Sequence, residues 1–136
     1  MSYLLDTNVI SESTRPNPDR RVVEFLAQGD LFISAVTIYA IYEGILDRDY
    51  GRKKVQLNRW FEKLRSEWRD SILPVDEPVA VKWAEIVQRL KQNSRIIDTE
   101  DIIVAATAAA HGLVVATRNI QHFEHTGVEV HNPFSD

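Results

Sequence analysis

The stretch Tyr3-Leu4-Leu5-Asp6-Thr7-Asn8-Val9-Ile10-Ser11-Glu12 decides the fold of this chain. A short apolar run stops at Asp6-Thr7-Asn8, and a helix-like segment takes over. In open parallel sheets, ligands gather at the carboxyl ends of strands, near the point where strand order reverses. A carboxylate released at the end of a buried first strand is therefore placed to hold a cation or act on a substrate. The rest of the sequence is read by asking which other polar residues arrive at that edge.

Outward from Asp6, apolar periodicity gives a strand-then-helix rhythm. Residues 8–13 start a short helix that Arg15-Pro16-Asn17-Pro18 ends, because proline cannot continue a helix and restricts its predecessor. Asp19 caps a helix running to residue 28. Residues 31–33 form a buried strand closed by Ser34, and 36–48 is apolar almost all round, as in a buried helix. Residues 53–69 read as an amphipathic basic helix and 72–75 as an extended segment. A helix over 78–91 follows, with Pro78 suited to its first turn. An alanine-rich helix over 99–111 stops at Gly112 and leads into a strand at 113–116, a helical turn after Asn119 and a last strand at 128–130. Strands alternating with helices imply a parallel sheet covered on both faces with right-handed crossovers. The extra helices between 36 and 70 read as a projecting hairpin.

The 136 residues argue for one domain, 1–136, with one core; a chain of this size buries roughly two-thirds of its unfolded surface. With no cysteine, neither disulfides nor thiolate metal sites are available. No apolar stretch reaches the roughly 20 residues that span a bilayer, and no basic leader opens the chain, so a cytoplasmic protein is expected. The net charge of −4 gives no global footprint for nucleic acid. The distribution is uneven, however. Arg52, Lys53, Lys54, Arg59, Lys63, Arg65 and Arg69 crowd into positions 52–69, on and just before the basic helix. That helix is either a solvated face behind the apolar stripe Leu57, Trp60, Phe61, Leu64 and Trp68, or a local surface for a polyanion.

Asp6, the cluster Asp98-Thr99-Glu100-Asp101, and Asn119 are the candidates at the sheet edge. If the strands at 3–5 and 113–116 are neighbours, these oxygens converge. Hard cations such as magnesium favour one or two carboxylates with retained waters, and such an ion can activate water and clamp a phosphodiester. It would also relieve the repulsion between two close carboxylates. Each residue has a plainer reading. Asp6 can cap the junction through the amides of Asn8 or Val9, and Asn119 can be a turn residue. Asp98 reads as a helix N-cap, with Asp101 imitating the third member of a capping box. Asp101 fits a purely structural role less well, because it opens the apolar run Ile102-Ile103-Val104-Ala105. Glu43 sits among Ile38, Tyr39, Ala40, Ile41, Tyr42, Ile45 and Leu46, where a charge needs a partner; an ion pair with an arginine and a metal role are both open. His122 and His125 lie in a segment expected to be exposed.

Leu4-Leu5-Asp6-Thr7-Asn8-Val9-Ile10-Ser11-Glu12, Ile33-Ser34-Ala35-Val36-Thr37-Ile38, Asp101 before Val104-Ala105-Ala106-Thr107-Ala108, and Ala116-Thr117-Arg118-Asn119 together resemble the PIN-domain ribonucleases, most nearly the toxins of the VapC and FitB type. The likeness runs on to the closing Val128-Glu129-Val130-His131-Asn132-Pro133-Phe134. It implies a three-layer α/β/α sandwich around a parallel sheet in the order 3-2-1-4-5. It also implies an Mg2+- or Mn2+-dependent endoribonuclease of the toxin–antitoxin kind, with tRNA a common target among relatives. Homodimers are implied too, as is a cognate antitoxin of the VapB or FitA type that sends an arginine into the acidic site and carries the DNA-binding function. By position, Asp6 and Asp101 are then metal ligands, Asn119 is the fourth polar residue, and Asp98 is left as the helix cap. Arg118, Lys53 and Lys54 are candidates for contact with the RNA backbone, since phosphate contacts position without specifying sequence.

The second acidic position departs from the pattern. Where the family carries a glutamate four residues before a glycine, this chain has Ala40 ahead of Gly44. Alanine is a good helix former but brings no oxygen. Glu43 lies one turn on, about 60° round the helix, and is the only nearby substitute. The chain thus reads as an inactivated form of an active nuclease, by engineering or by natural divergence. A non-catalytic module working through its antitoxin is the first alternative. A phosphotransfer enzyme of the haloacid-dehalogenase kind is the second. That class usually has a second Asp where Asn8 stands, and a lysine near the late acidic motif, which Asp101 lacks.

Overall fold

The computed structural model describes residues 1–134. Five parallel strands are ordered β3-β2-β1-β4-β5: β1 (Tyr3–Leu5), β2 (Leu31–Ser34), β3 (Ile72–Leu73), β4 (Val114–Ala116) and β5 (Val130–His131). In register, Leu4 lies between Phe32 and Val115, and Leu5 pairs with Ala116. The chain passes from β1 to β2 on one side and enters β4 on the other, so strand order reverses at β1, the strand that ends in Asp6.

Successive strand residues point to opposite faces, and this splits the core in two. Leu4 and Val115 join one cluster with Ile86 and Leu90 of α5 (Glu77–Gln92) and Ile103, Val104 and Ala105 of α6 (Thr99–His111). Leu5, Ile33 and Ala116 join the other. There they meet Val9 and Ile10 of α1 (Thr7–Ser11), Val22 and Phe25 of α2 (Arg20–Leu26), Ile41 and Ile45 of α3 (Ala35–Leu46), and Phe61 and Leu64 of α4 (Arg52–Glu67). Helices therefore cover both faces, giving the three layers. At roughly 25 cal/mol per Å2 of apolar surface removed from water, these two clusters dominate the favourable side of folding.

Local signals set the ends. Asp19 accepts a hydrogen bond from the Arg21 amide and Asp76 one from the Val79 amide, capping α2 and α5. Gly112, at φ 65°, takes the left-handed turn that ends α6. The first helix is shorter than the sequence suggested: after Ser11 the chain tightens into a 3-10 turn over Glu12–Thr14. Buried Glu12 holds that turn by accepting from the Asp19 amide at 2.7 Å.

One expectation is corrected outright. Helix α3 is not buried all round: Val36, Thr37, Ile41 and Ile45 face inward, whereas Tyr39, Tyr42 and Leu46 are exposed. Glu43 shares that outer side and is exposed as well. Its apolar neighbours in sequence are not its surroundings in space, so no buried charge has to be compensated there.

Candidate metal-binding active site

Asp6 leaves β1 with its amide still bonded to the Ala116 carbonyl at 2.9 Å, one more rung of the ladder with β4. Its carboxylate is almost fully buried. Oδ1 accepts from the Thr7 amide at 2.9 Å, and Oδ2 accepts from the Thr117 hydroxyl at 2.8 Å and the Asn8 side-chain amide at 3.4 Å. The cap foreseen for Asp6 thus exists, although its backbone donor is the Thr7 amide rather than that of Asn8 or Val9. Capping uses only part of what two carboxylate oxygens can accept.

Asp6, Thr7, Asn8, Val36, Thr37, Ala40, Asp98, Glu100, Asp101, Val104, Asn119 and His122 line a cavity of about 300 Å3. Residues from β1–α1, α3, α6 and the segment after β4 thus meet in one space. Asp101 projects from the first turn of α6, where the His122 Nδ1 stands 3.2 Å from Oδ2. Burial and the negative charge of Asp6 push the Asp101 carboxyl up to about 6; His122 pulls it down, and Asp98 pushes it up again. The influence of Asp6 on Asp101 is the electrostatic sign that the two acids share a site.

Asp98 occupies the N-cap position of α6, yet its side chain makes no capping hydrogen bond. It is exposed on the cavity wall instead, so the cap reading is only half right. Asn119 reaches the cavity and donates its backbone amide to Thr117 Oγ1 at 3.0 Å. Ala40 is on the wall and Glu43 is not. Among the described residues, no three acidic or histidine side chains are grouped tightly enough to cage an ion by themselves.

The three cationic candidates separate. Lys53 lines an adjoining groove of about 300 Å3 that shares Thr7 and Ala40 with the main cavity and continues past Arg48 to Trp60. Lys54 instead donates to the Leu46 and Arg48 carbonyls at 3.1 and 3.0 Å, tying the end of α3 to α4. The Arg118 guanidinium lies 3.8 Å over the Phe134 ring, outside the cavity lining. Its backbone amide donates to Asn8 Oδ1 at 3.1 Å.

Sequence reasoning missed Asn8, Thr117 and His122. Asn8 bonds Asp6, Thr117 and the Arg118 amide, so it stitches the first motif to the last. Asn8 and Thr117 flanked residues already singled out, which was a usable signal. Nothing in the spacing of His122 pointed to Asp101.

Residues 3–129 match the family model of the PIN domain. The chain is 40% identical to Toxin FitB of Neisseria gonorrhoeae, with 98% of this chain and 99% of that protein covered. It is 33% identical to VapC ribonuclease Y4jK of Sinorhizobium fredii, with 96% of each covered. The structure of FitAB bound to the IR36 DNA fragment superposes with a TM-score of 0.89 at 38% identity, covering 98% of this chain and 96% of that one. With the match spanning both the sheet edge and the cavity around Asp6 and Asp101, the chain belongs to the PIN-domain family.

Proposed function

We propose that this chain is the toxin of a toxin–antitoxin pair, a divalent-metal-dependent endoribonuclease inactivated by alanine at position 40. The observation that carries this reading is the pair Asp6 and Asp101, which open into one cavity, the negative charge of Asp6 helping burial push the Asp101 carboxyl up. Their donor set fits a hard cation. The ligands are carboxylate oxygens, no lysine or arginine lines the cavity to neutralise them, and Mg2+ or Mn2+ needs only one or two such ligands when it keeps its waters. Bound there, the ion would supply Lewis acidity and offset charge on a phosphodiester.

The chain's own residues set the geometry. Thr7, Asn8 and Thr117 fix the Asp6 carboxylate, and His122 steadies Asp101. Asn119 lines the same cavity and orients the substrate. Lys53 and Arg48, farther along the adjoining groove, hold the RNA backbone. Ala40 leaves the α3 wall without a carboxylate, so Asp6 and Asp101 would hold an ion more weakly than three acids could. Glu43 does not replace it, being outside the cavity.

The name of Toxin FitB and the structure of FitAB bound to a DNA fragment support a cognate antitoxin and DNA binding by the pair. The outward Tyr39, Tyr42 and Leu46 of α3 offer an apolar face suited to a homodimer. No described helix is long and apolar enough to cross a membrane.

The test is to restore the acid. The Ala40→Glu chain should cleave RNA with Mg2+ or Mn2+, lose cleavage in EDTA, and lose it again when Asp6→Asn is added. No metal-dependent cleavage by the restored chain sinks the nuclease reading. Ala40 itself favours a second reading, a binding module that acts only through its antitoxin; such a module would keep its partner and show no cleavage in either form.

A further inference from the structure

Among the described residues, Thr37 Oγ1 is the one buried side-chain oxygen or nitrogen with no hydrogen-bond partner. The residue is 1% exposed, on the wall of α3 that faces the cavity. Other buried hydroxyls in the fold are satisfied. Thr107 donates to the Ile103 carbonyl at 2.8 Å and shares a bond with Ser34 at 3.0 Å. Helical threonines readily return their hydroxyl to the carbonyl one turn back, and Thr37 does not do so. A buried hydroxyl left without a partner calls for an explanation.

Thr37 and position 40 stand three residues apart on α3, and both line the cavity. Side chains at that spacing are neighbours on a helix surface. A carboxylate at position 40 would be an acceptor within reach of the threonine; the methyl group of Ala40 is not. We propose that Thr37 is a positioning residue for an acid at position 40, its hydroxyl donating to that carboxylate and turning it toward Asp6 and Asp101. The proposal rests on the reading of position 40 given above. The orphan hydroxyl is then the trace that the lost side chain leaves in the remaining structure. Such supporting donors matter because they fix a ligand's rotamer before the ion arrives.

The experiment combines Thr37→Val with Ala40→Glu and reads Mn2+ affinity by calorimetry and thermal melting without metal. In the Ala40→Glu chain, Thr37→Val should weaken Mn2+ binding about tenfold more than it does in the alanine chain, the scale typical of supporting donors. Without metal, the same change should lower the melting temperature of the Ala40→Glu chain and raise that of the alanine chain, where it removes an unsatisfied hydroxyl. Adding Thr37→Ser to Ala40→Glu should keep both the affinity and the melting temperature. Equal effects of Thr37→Val in the two backgrounds overturn the proposal, as does failure of serine to substitute. The melting comparison uses neither metal nor RNA, so it can fail while cleavage succeeds, or succeed while the nuclease reading fails.

Discussion

The Thr117 hydroxyl donates to Asp6 Oδ2 at 2.8 Å across 111 residues of chain. Thr117 Oγ1 in turn accepts from the Asn119 amide at 3.0 Å, so one buried threonine ties the first acid to the last motif. Replacing it with valine would leave a buried carboxylate short of a donor and an amide without its acceptor. Thr117→Val should cost roughly 1–3 kcal/mol, the usual penalty for an unsatisfied buried group. Urea unfolding at pH 7 measures it, and a loss below about 0.5 kcal/mol, typical of an uninvolved surface site, would show that the bond is dispensable.

Asp101 makes stability fall with rising pH. Its folded pKa of about 6 lies above the ordinary 3.8, so the folded state binds more protons than the unfolded state between those values. The contribution is fully present below about pH 4 and is lost as pH rises through about 6. Asp101→Asn should therefore stabilise the metal-free protein above pH 7, by roughly 1–2 kcal/mol given that the cavity is open to water. The gain should vanish near pH 4. Denaturation midpoints across pH 4–8 check this; a gain that is independent of pH would point to repacking instead.

Part of that elevation comes from Asp6. Asp6→Asn should lower the Asp101 pKa, since it removes a neighbouring negative charge and leaves desolvation in place. Carbon-detected NMR titration of the Asp101 carboxyl reads the shift directly. An unmoved midpoint would mean that the two acids do not sense each other.

Placing a further acid among Asp6, Asp98, Glu100 and Asp101 should destabilise the metal-free chain. Ala40→Glu is expected to lower the melting temperature in EDTA at pH 7.5 by a few degrees, consistent with about 1 kcal/mol of added repulsion. Millimolar Mn2+ should recover most of the loss, because ligands that bind only the folded state stabilise it. Recovery equal to that of the unmodified chain would argue against an ion at this site.

Lys53 and Lys54 are adjacent in sequence and differ in use. Lys54→Met should cost roughly 0.5–1.5 kcal/mol by removing its bonds to the Leu46 and Arg48 carbonyls. Lys53→Met should change stability little and weaken RNA binding, with a shallower salt dependence. Fluorescence anisotropy at several salt concentrations, paired with thermal melts, separates the two. Equal RNA defects would put both lysines on the strand.

Much of the site was legible because its acids sit where secondary structure changes. Asp6 ends an apolar strand and Asp101 opens an apolar helix, so each stands out from the chain beside it. Misreadings arose where a one-dimensional neighbourhood stood in for a three-dimensional one. Glu43 looked buried because Tyr39, Tyr42 and Leu46 surround it in sequence, and those residues turn out to form the exposed side of α3. Asp98 looked like a cap by position, but a cap requires a hydrogen bond that its side chain does not make. Lys54, offered beside Lys53 as a contact for the RNA backbone, spends its donors on the Leu46 and Arg48 carbonyls at the end of α3.

The amino-acid order alone determined the alternation of strands and helices, the ends of most elements and the placing of Asp6 and Asp101 at element ends, because periodicity, capping and proline or glycine stops act within a few residues. Tertiary structure decided that His122 faces Asp101, that Thr117 and Asn8 clasp Asp6, and that Thr37 is left without a partner beside Ala40. Those relationships depend on where distant segments lie once Leu4 and Leu5 have sent their side chains to opposite faces of the sheet. Local sequence carries no record of which groups will meet across that packing.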